Sequence, residues 1–280
     1  MSNFKEYQFF LDAKSDKSPL TIKSYSIACE KFFGALGIDS IEKLKDLKAN
    51  EIRSYIMGLN VSANTKNGQI RVLKLLFFWM YKNDFISENP MLKIDKQKVG
   101  KKVLRVPTEE EMEMVISNCE NKTTHLMIGL GSRVGLRREE ICLIKISDIS
   151  QDGKIKVNGK GNKEAVLKLP EQLFDEIKKY IAHKNRKESE YLFSYDGHKV
   201  STTSINKRFV EYIETLDLTD ERKKVLRRVH SYRHFCGTRV YNITHDPYAV
   251  RHQLRHADIS IGQIYIHPKA DEYDNLSSSL

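Results

Sequence analysis

Two arginine-centred stretches, a lysine flanked by glycines, and a histidine followed nine residues later by tyrosine stand out among the 280 residues of this chain. The stretches are Gly135-Leu136-Arg137-Arg138-Glu139-Glu140, Gly159-Lys160-Gly161-Asn162-Lys163, His230-Ser231-Tyr232-Arg233, and Leu254-Arg255-His256 with Tyr265 beyond it. A planar guanidinium grips paired oxygens of a phosphoryl group in a way an ammonium cannot. Two of them form an electrostatic cage for a crowded, doubly negative phosphorus centre. His230 and Arg233 are three apart, so on a helix they share a face and can address one group. A tyrosine can serve as a covalent nucleophile, and its phosphoester retains the energy of the ester bond it replaces.

Taken one at a time, each stretch also has an ordinary structural reading. Arg137 beside Arg138 reads as a solvated helix face, and Gly159 to Lys163 as a charged turn. His230 and Arg233 read as a structural pair near Glu221, and Tyr265 with Ile261 and Ile264 as core. His234, His252 and His267 carry no functional reading.

Jointly and in this order, the four stretches resemble the tyrosine recombinases, also called the phage integrase family, in their compact Xer-like form. The resemblance runs through motifs over residues 108 to 267, and residues 1 to 90 fit the family's core-binding domain by size and position. It implies that Arg137 and Arg233 clamp the scissile phosphate, with His230 and His256 as the accompanying histidines, Lys160 as a mobile hairpin lysine and Tyr265 as the nucleophile. The family spaces its tyrosine nine residues after the second histidine, the interval from His256 to Tyr265. Glu140, three after Arg137, matches an acid that braces the family's site. Two departures stand out. Arg255 occupies a position where the family usually has Gly, and the 15 residues after Tyr265 end in polar Ser277-Ser278-Ser279, weakening the case for a partner-docking helix.

These residues need elements to position them. Ile22, Tyr25, Cys29, Phe32, Phe33 and Leu36 recur at steps of three and four, predicting an amphipathic helix over 20–36. Phe4, Tyr7 and Leu11; Ile52, Tyr55, Ile56 and Leu59; and Ile70, Leu73, Leu76, Phe77 and Met80 predict further helices. Ser62 or Asn64 suits the start of the last, and Asn83-Asp84 its end. Residues 91–107 carry six basic side chains and one acid without a helical stripe, and read as an extended interdomain linker. Thr108 with Glu111 is a capping box opening a second domain. Lys154–Val157 and Ala165–Leu169 alternate as strands around the Gly-Lys-Gly turn, and stripes after Pro170, after Thr203 and across 229–241 predict helices. The expected fold is mainly α: a helical core-binding (SAM-like) domain over 1–90, a basic linker over 91–107, and a mainly helical catalytic domain over 108–280 with a small antiparallel β-sheet.

Composition narrows the classes. Apolar residues make up 40% of the chain and aromatics 9%, too much apolar surface for a disordered polymer. The longest apolar run, near Leu75–Met80, falls far short of the roughly 20 residues a membrane helix needs. The first residues, MSNFKEYQFFLDAKSDK, carry acids and have no small-residue cleavage signal after an apolar core, so secretion is not indicated and a cytoplasmic location is expected. Cys29, Cys119, Cys142 and Cys236 lack metal-binding spacing and read as reduced packing residues. The net charge of +10 peaks in the 91–107 segment, consistent with a polyanionic partner.

The resemblance implies a site-specific DNA recombinase acting on duplex DNA with a specific core site. Four protomers would assemble on two duplexes, each gripped by a C-shaped clamp, and exchange strands through a 3′-phosphotyrosine and a Holliday junction. It needs no metal or cofactor, and an accessory protein or a paralogue is a further candidate partner. Type IB topoisomerase relaxation and a catalytically silent DNA-binding regulator are the rival readings. Chromosome or plasmid dimer resolution and mobile-element integration or excision share one chemistry, and no residue separates them. The few residues before the first helix argue against an added arm-binding domain.

Overall fold

The computed structural model describes residues 4–100, 105–159, 164–185, 187 and 190–255. The chain divides into two compact units, Met1–Lys102 and Val103–Leu280.

In the first unit the helices are α1 (Lys5–Asp12), α2 (Pro19–Leu36), α3 (Ile41–Lys45), α4 (Ala49–Gly58) and α5 (Ala63–Lys82). Their starts follow local chemistry. Ser18 accepts from the Thr21 N–H ahead of Pro19 at the first helical position, and Ser62 accepts from the Thr65 N–H. The predicted stripes converge: Cys29, Phe32, Phe33, Ile52, Ile56, Ile70, Leu73, Leu76, Phe77 and Met80 all lie in one core. Rings dominate it. Phe32 meets Tyr55 edge-on at 5.1 Å and Phe77 at 6.1 Å, and Trp79 stacks on Phe85 at 5.4 Å.

One expectation differs here. The segment read as an extended linker from residue 91 begins as part of this unit, because Pro90–Lys93 form a 3-10 turn that buries Met91, and Ile94 follows it into the same core. Arg53 donates to the Lys93 carbonyl at 3.0 Å, and the Asn67 amide brackets Gln97 by donating to its carbonyl at 2.9 Å and accepting from its N–H at 2.7 Å. Two apolar residues three apart are too sparse to register as a stripe, yet they suffice to dock one turn.

The second unit opens on the Thr108–Glu111 capping box, reciprocal at 2.9 and 3.2 Å, which starts α6 (Glu109–Ser117). There follow α7 (Lys122–Arg133), α8 (Arg138–Leu143), the strands β1 (Lys154–Asn158) and β2 (Glu164–Lys168), α9 (Glu171–Lys184), the short pair β3 (Ser194–Tyr195) and β4 (His198–Lys199), α10 (Thr202–Glu214), α11 (Asp220–Leu226), α12 (Val229–Thr244) and α13 (Pro247–Leu254). β1 and β2 pair antiparallel from Lys154 opposite Lys168 to Asn158 opposite Glu164, so the hairpin is where the alternation predicted it. α7 is buried over consecutive positions from Leu126 to Ser132 and packs against α12. At Gly131 a β-carbon would stand 3.2 Å from Tyr232 Cβ, so glycine admits the close approach. All four cysteines are free and buried.

Candidate functional site

The site grows from the reversal after α7. Gly135 has φ +75°, and a β-carbon there would lie 2.6 Å from Leu254 Cδ2 on α13 and 3.2 Å from Cys236 Sγ on α12. Only glycine takes this turn without displacing both helices. Two residues on, Arg137 is the N-cap of α8, and Glu140 reaches back to it. The Arg137 backbone N–H donates to Glu140 Oε2 at 2.8 Å, and its guanidinium donates to Oε1 at 2.8 Å. Glu140 is almost wholly buried, whereas the Arg137 side chain keeps 28% exposure to solvent.

Arg233 comes from the buried side of α12. Its guanidinium donates to the carbonyls of Gly135 and Leu254, fastening the reversal to the end of α13. Gln253 adds a bond to the Val134 carbonyl at 3.0 Å. Arg255, the C-cap of α13, completes the cluster: its guanidinium donates to Glu140 Oε2 at 2.6 Å, and its own carbonyl accepts from Arg137 Nη2 at 3.3 Å.

The electrostatics follow from this crowding. Burial pushes the Glu140 carboxyl up, but Arg255, the Arg137 N–H and the Arg137 guanidinium outweigh it and hold the group below the usual carboxylate range. His230, on the first turn of α12, presents part of its ring to solvent. Desolvation on its protein side, with the charges of Arg138, Arg233 and Arg137, lowers its pKa against the pull of Glu139. His234, one turn further on, is pushed down by burial, His230 and Arg233 to about 4. Both rings therefore favour the neutral form near pH 7.

Among the predicted residues, Arg137, His230 and Arg233 come together with Glu140 in one charged neighbourhood. Lys160, His256 and Tyr265 lie outside the described residues; β1 and β2 flank the segment holding Lys160, and α13 ends just before His256. The structural pairing considered for His230 and Arg233 with Glu221 is not the one observed, since Glu221 pairs with Arg105. Sequence reasoning singles out Arg255 as a departure from glycine that would alter the backbone or add a phosphate contact; its φ of +52° is such a backbone, but its partners Glu140 and Arg137 are not foreseen.

The chain belongs to the phage integrase family, whose model matches residues 105–272, and so to the tyrosine-type site-specific recombinases. It is similar to the tyrosine recombinase XerA of Thermococcus kodakarensis, 28% identical over 93% of this chain and 89% of that protein. It is also similar to the tyrosine recombinase XerC of Bacillus pumilus, 22% identical over 94% of this chain and 90% of that protein. In fold it resembles the XerH site-specific recombinase bound to its difH substrate in a pre-cleavage complex, with a TM-score of 0.72 at 20% identity, covering 96% of this chain and 81% of that one. No helix among the described residues is long and apolar enough to cross a membrane.

Proposed function

We propose that this protein breaks and rejoins duplex DNA at a specific core site by way of a 3′-phosphotyrosine on Tyr265. The observation that carries this reading is that Arg137, braced by the buried Glu140 at the start of α8, and Arg233, tied to the Gly135 reversal from α12, both bring their charge to bear on His230 in the first turn of α12. Arg137, the more open guanidinium, grips the non-bridging oxygens, and Arg233 supports it from beneath while tying Gly135 to Leu254. A neutral His230 takes part in the hydrogen bonding and proton traffic around the phosphate, and His256 is its companion. Lys160 protonates the departing 5′ oxygen, because an alkoxide is a poor leaving group. The free 5′-hydroxyl then attacks the phosphotyrosine of another duplex, so bond energy is conserved through a Holliday junction without net hydrolysis.

In this reading the first unit, with residues 91–97 docked on it, binds the core site, the basic segment near Lys93–Arg105 lies on backbone phosphates, and residues 108–280 carry the catalysis. Four copies act on two duplexes in the cytoplasm, with an accessory protein or a paralogue as a further partner. Relatives aligned along nearly the whole chain support recombination over topoisomerase-like relaxation. Dimer resolution and integration or excision of a mobile element are both served by this chemistry.

The test uses a nicked duplex bearing the half-site that the protein itself selects from a randomised pool. The nick lets the cleaved fragment diffuse away and traps the adduct. Wild type and Tyr273→Phe should give a covalent protein–DNA band, and Tyr265→Phe should give none. A band from Tyr265→Phe would sink the assignment, and relaxation of plasmids without site preference would favour the topoisomerase reading.

A further inference from the structure

Arg255 stands in a left-handed conformation, φ 52° and ψ 48°, that a β-carbon disfavours and that glycine would accept freely. A long, charged side chain is held there by specific partners. Its guanidinium donates to Glu140 Oε2 at 2.6 Å and to the Gln253 carbonyl at 3.2 Å, and only 13% of the side chain is exposed. Its carbonyl accepts from Arg137 Nη2 at 3.3 Å, while Glu140 accepts from Arg137 at both oxygens. Arg137, Glu140 and Arg255 thus form a closed ring joining the start of α8 to the end of α13.

The ring has a consequence in charge. A buried carboxylate paired with Arg137 alone would cancel the guanidinium that must meet a phosphate. Shared between two guanidiniums, Glu140 leaves the ring with a net positive charge, and the charge nearest solvent belongs to Arg137, at 28% exposure against 13% for Arg255. Arg255 is too enclosed to lead a phosphate contact, and its place is behind Arg137.

We infer that Arg255 is a positioning residue for strand cleavage, holding Arg137 through Glu140 and through its own carbonyl and offsetting the Glu140 charge so that Arg137 acts on the phosphate at full strength. The inference rests on the site reading proposed above.

The test measures single-turnover covalent adduct formation by the full chain on the same self-selected nicked half-site, at saturating DNA, with Kd measured separately. Arg255→Gly relieves the backbone and should fold, yet lose about 10-fold or more in cleavage rate, the scale set by small misplacements of a catalytic group. Its Kd should move less than about threefold, and Arg255→Lys should recover part of the rate. Because the effect passes through Arg137, the Arg137→Ala/Arg255→Gly double variant should be no slower than Arg137→Ala. A neutral methylphosphonate at the cleaved position should shrink the losses of Arg137→Ala and Arg255→Gly together. A wild-type rate for Arg255→Gly, multiplicative losses in the double variant, or methylphosphonate relief confined to Arg137→Ala would each overturn the inference. Should Arg255→Gly melt early, Arg255→Asn, which also tolerates the left-handed backbone but carries no charge, replaces it, with the same loss expected and an unchanged rate overturning. If Arg137→Ala itself cleaves normally, the site reading beneath has failed; if Arg137→Ala is slow and Arg255→Gly normal, only this inference has.

Discussion

Phe32 in the first unit and Glu140 in the second both lie away from solvent, but opposite physics holds them there. Phe32 is surrounded by rings and aliphatic side chains and gains by leaving water. Glu140 loses its hydration and is kept inside by two guanidiniums and a backbone N–H. The contrast is general among the described residues, since the buried polar and charged ones, Thr124, Ser132, Glu140, Ser231 and Arg233, all belong to the second unit. The first unit's interior serves shape alone. The second accepts the desolvation of charge, at Glu140 between Arg137 and Arg255 and at Arg233 beside the Gly135 reversal.

The largest effects should separate the two kinds of interior. Phe32→Ala and Glu140→Ala should each lose about 3–5 kcal/mol of stability, one by leaving a cavity and the other by stranding buried guanidiniums. Only Glu140→Ala should also slow cleavage by the bound enzyme. The single tryptophan, Trp79, packs in the first unit's core, so its fluorescence melt should shift for Phe32→Ala and hold for Glu140→Ala. Equal shifts for both would show that the units unfold as one.

Acid sharpens the same contrast. The folded-state pKa of Glu140 is depressed, so its contribution is present above the unfolded value and is lost as pH falls through the lower folded one. The stability gap between wild type and Glu140→Gln should therefore narrow below about pH 4, near the unperturbed glutamate pKa. The gap between wild type and Phe32→Ala should carry no such step. Denaturant titrations at neutral and acid pH read both.

Next in size, Lys160→Ala should cleave ordinary DNA about 100-fold more slowly, within the range for losing a general acid. DNA with a bridging 5′ sulfur, whose thiolate leaves unaided, should restore most of that rate, while Arg137→Ala should stay slow because the negative charge that Arg137 would balance sits on the non-bridging oxygens whichever atom leaves. Equal impairment of Lys160→Ala on both substrates would pass the acid role to Lys163 or His230.

Neutralising Lys98, Lys101 and Lys102 should act on binding alone, flattening the log-affinity against log-salt slope by up to about 0.9 per lost phosphate contact. An unchanged slope would mean that these lysines serve only solubility. The smallest effect belongs to the helix caps. Ser62→Ala and Thr108→Ala, one in each unit, should each lose about 1 kcal/mol without altering the cleavage rate.

Much of this protein was legible along the chain, because a helix or strand with one buried face writes its period into neighbouring residues. That held for α2, α5 and the β1–β2 hairpin, and for the Thr108–Glu111 cap, whose partners are three residues apart. The order of the arginine, histidine and tyrosine motifs likewise pointed to the family. α7 left no stripe because it is enclosed on nearly every side, and residues 90–97 left none because two apolar side chains and one asparagine amide dock them. The Arg255 partnership was beyond any local reading. Its partner Glu140 stands 115 positions earlier, and the pair meets only because the glycine turn at Gly135, pinned by the buried Arg233, brings the start of α8 against the end of α13.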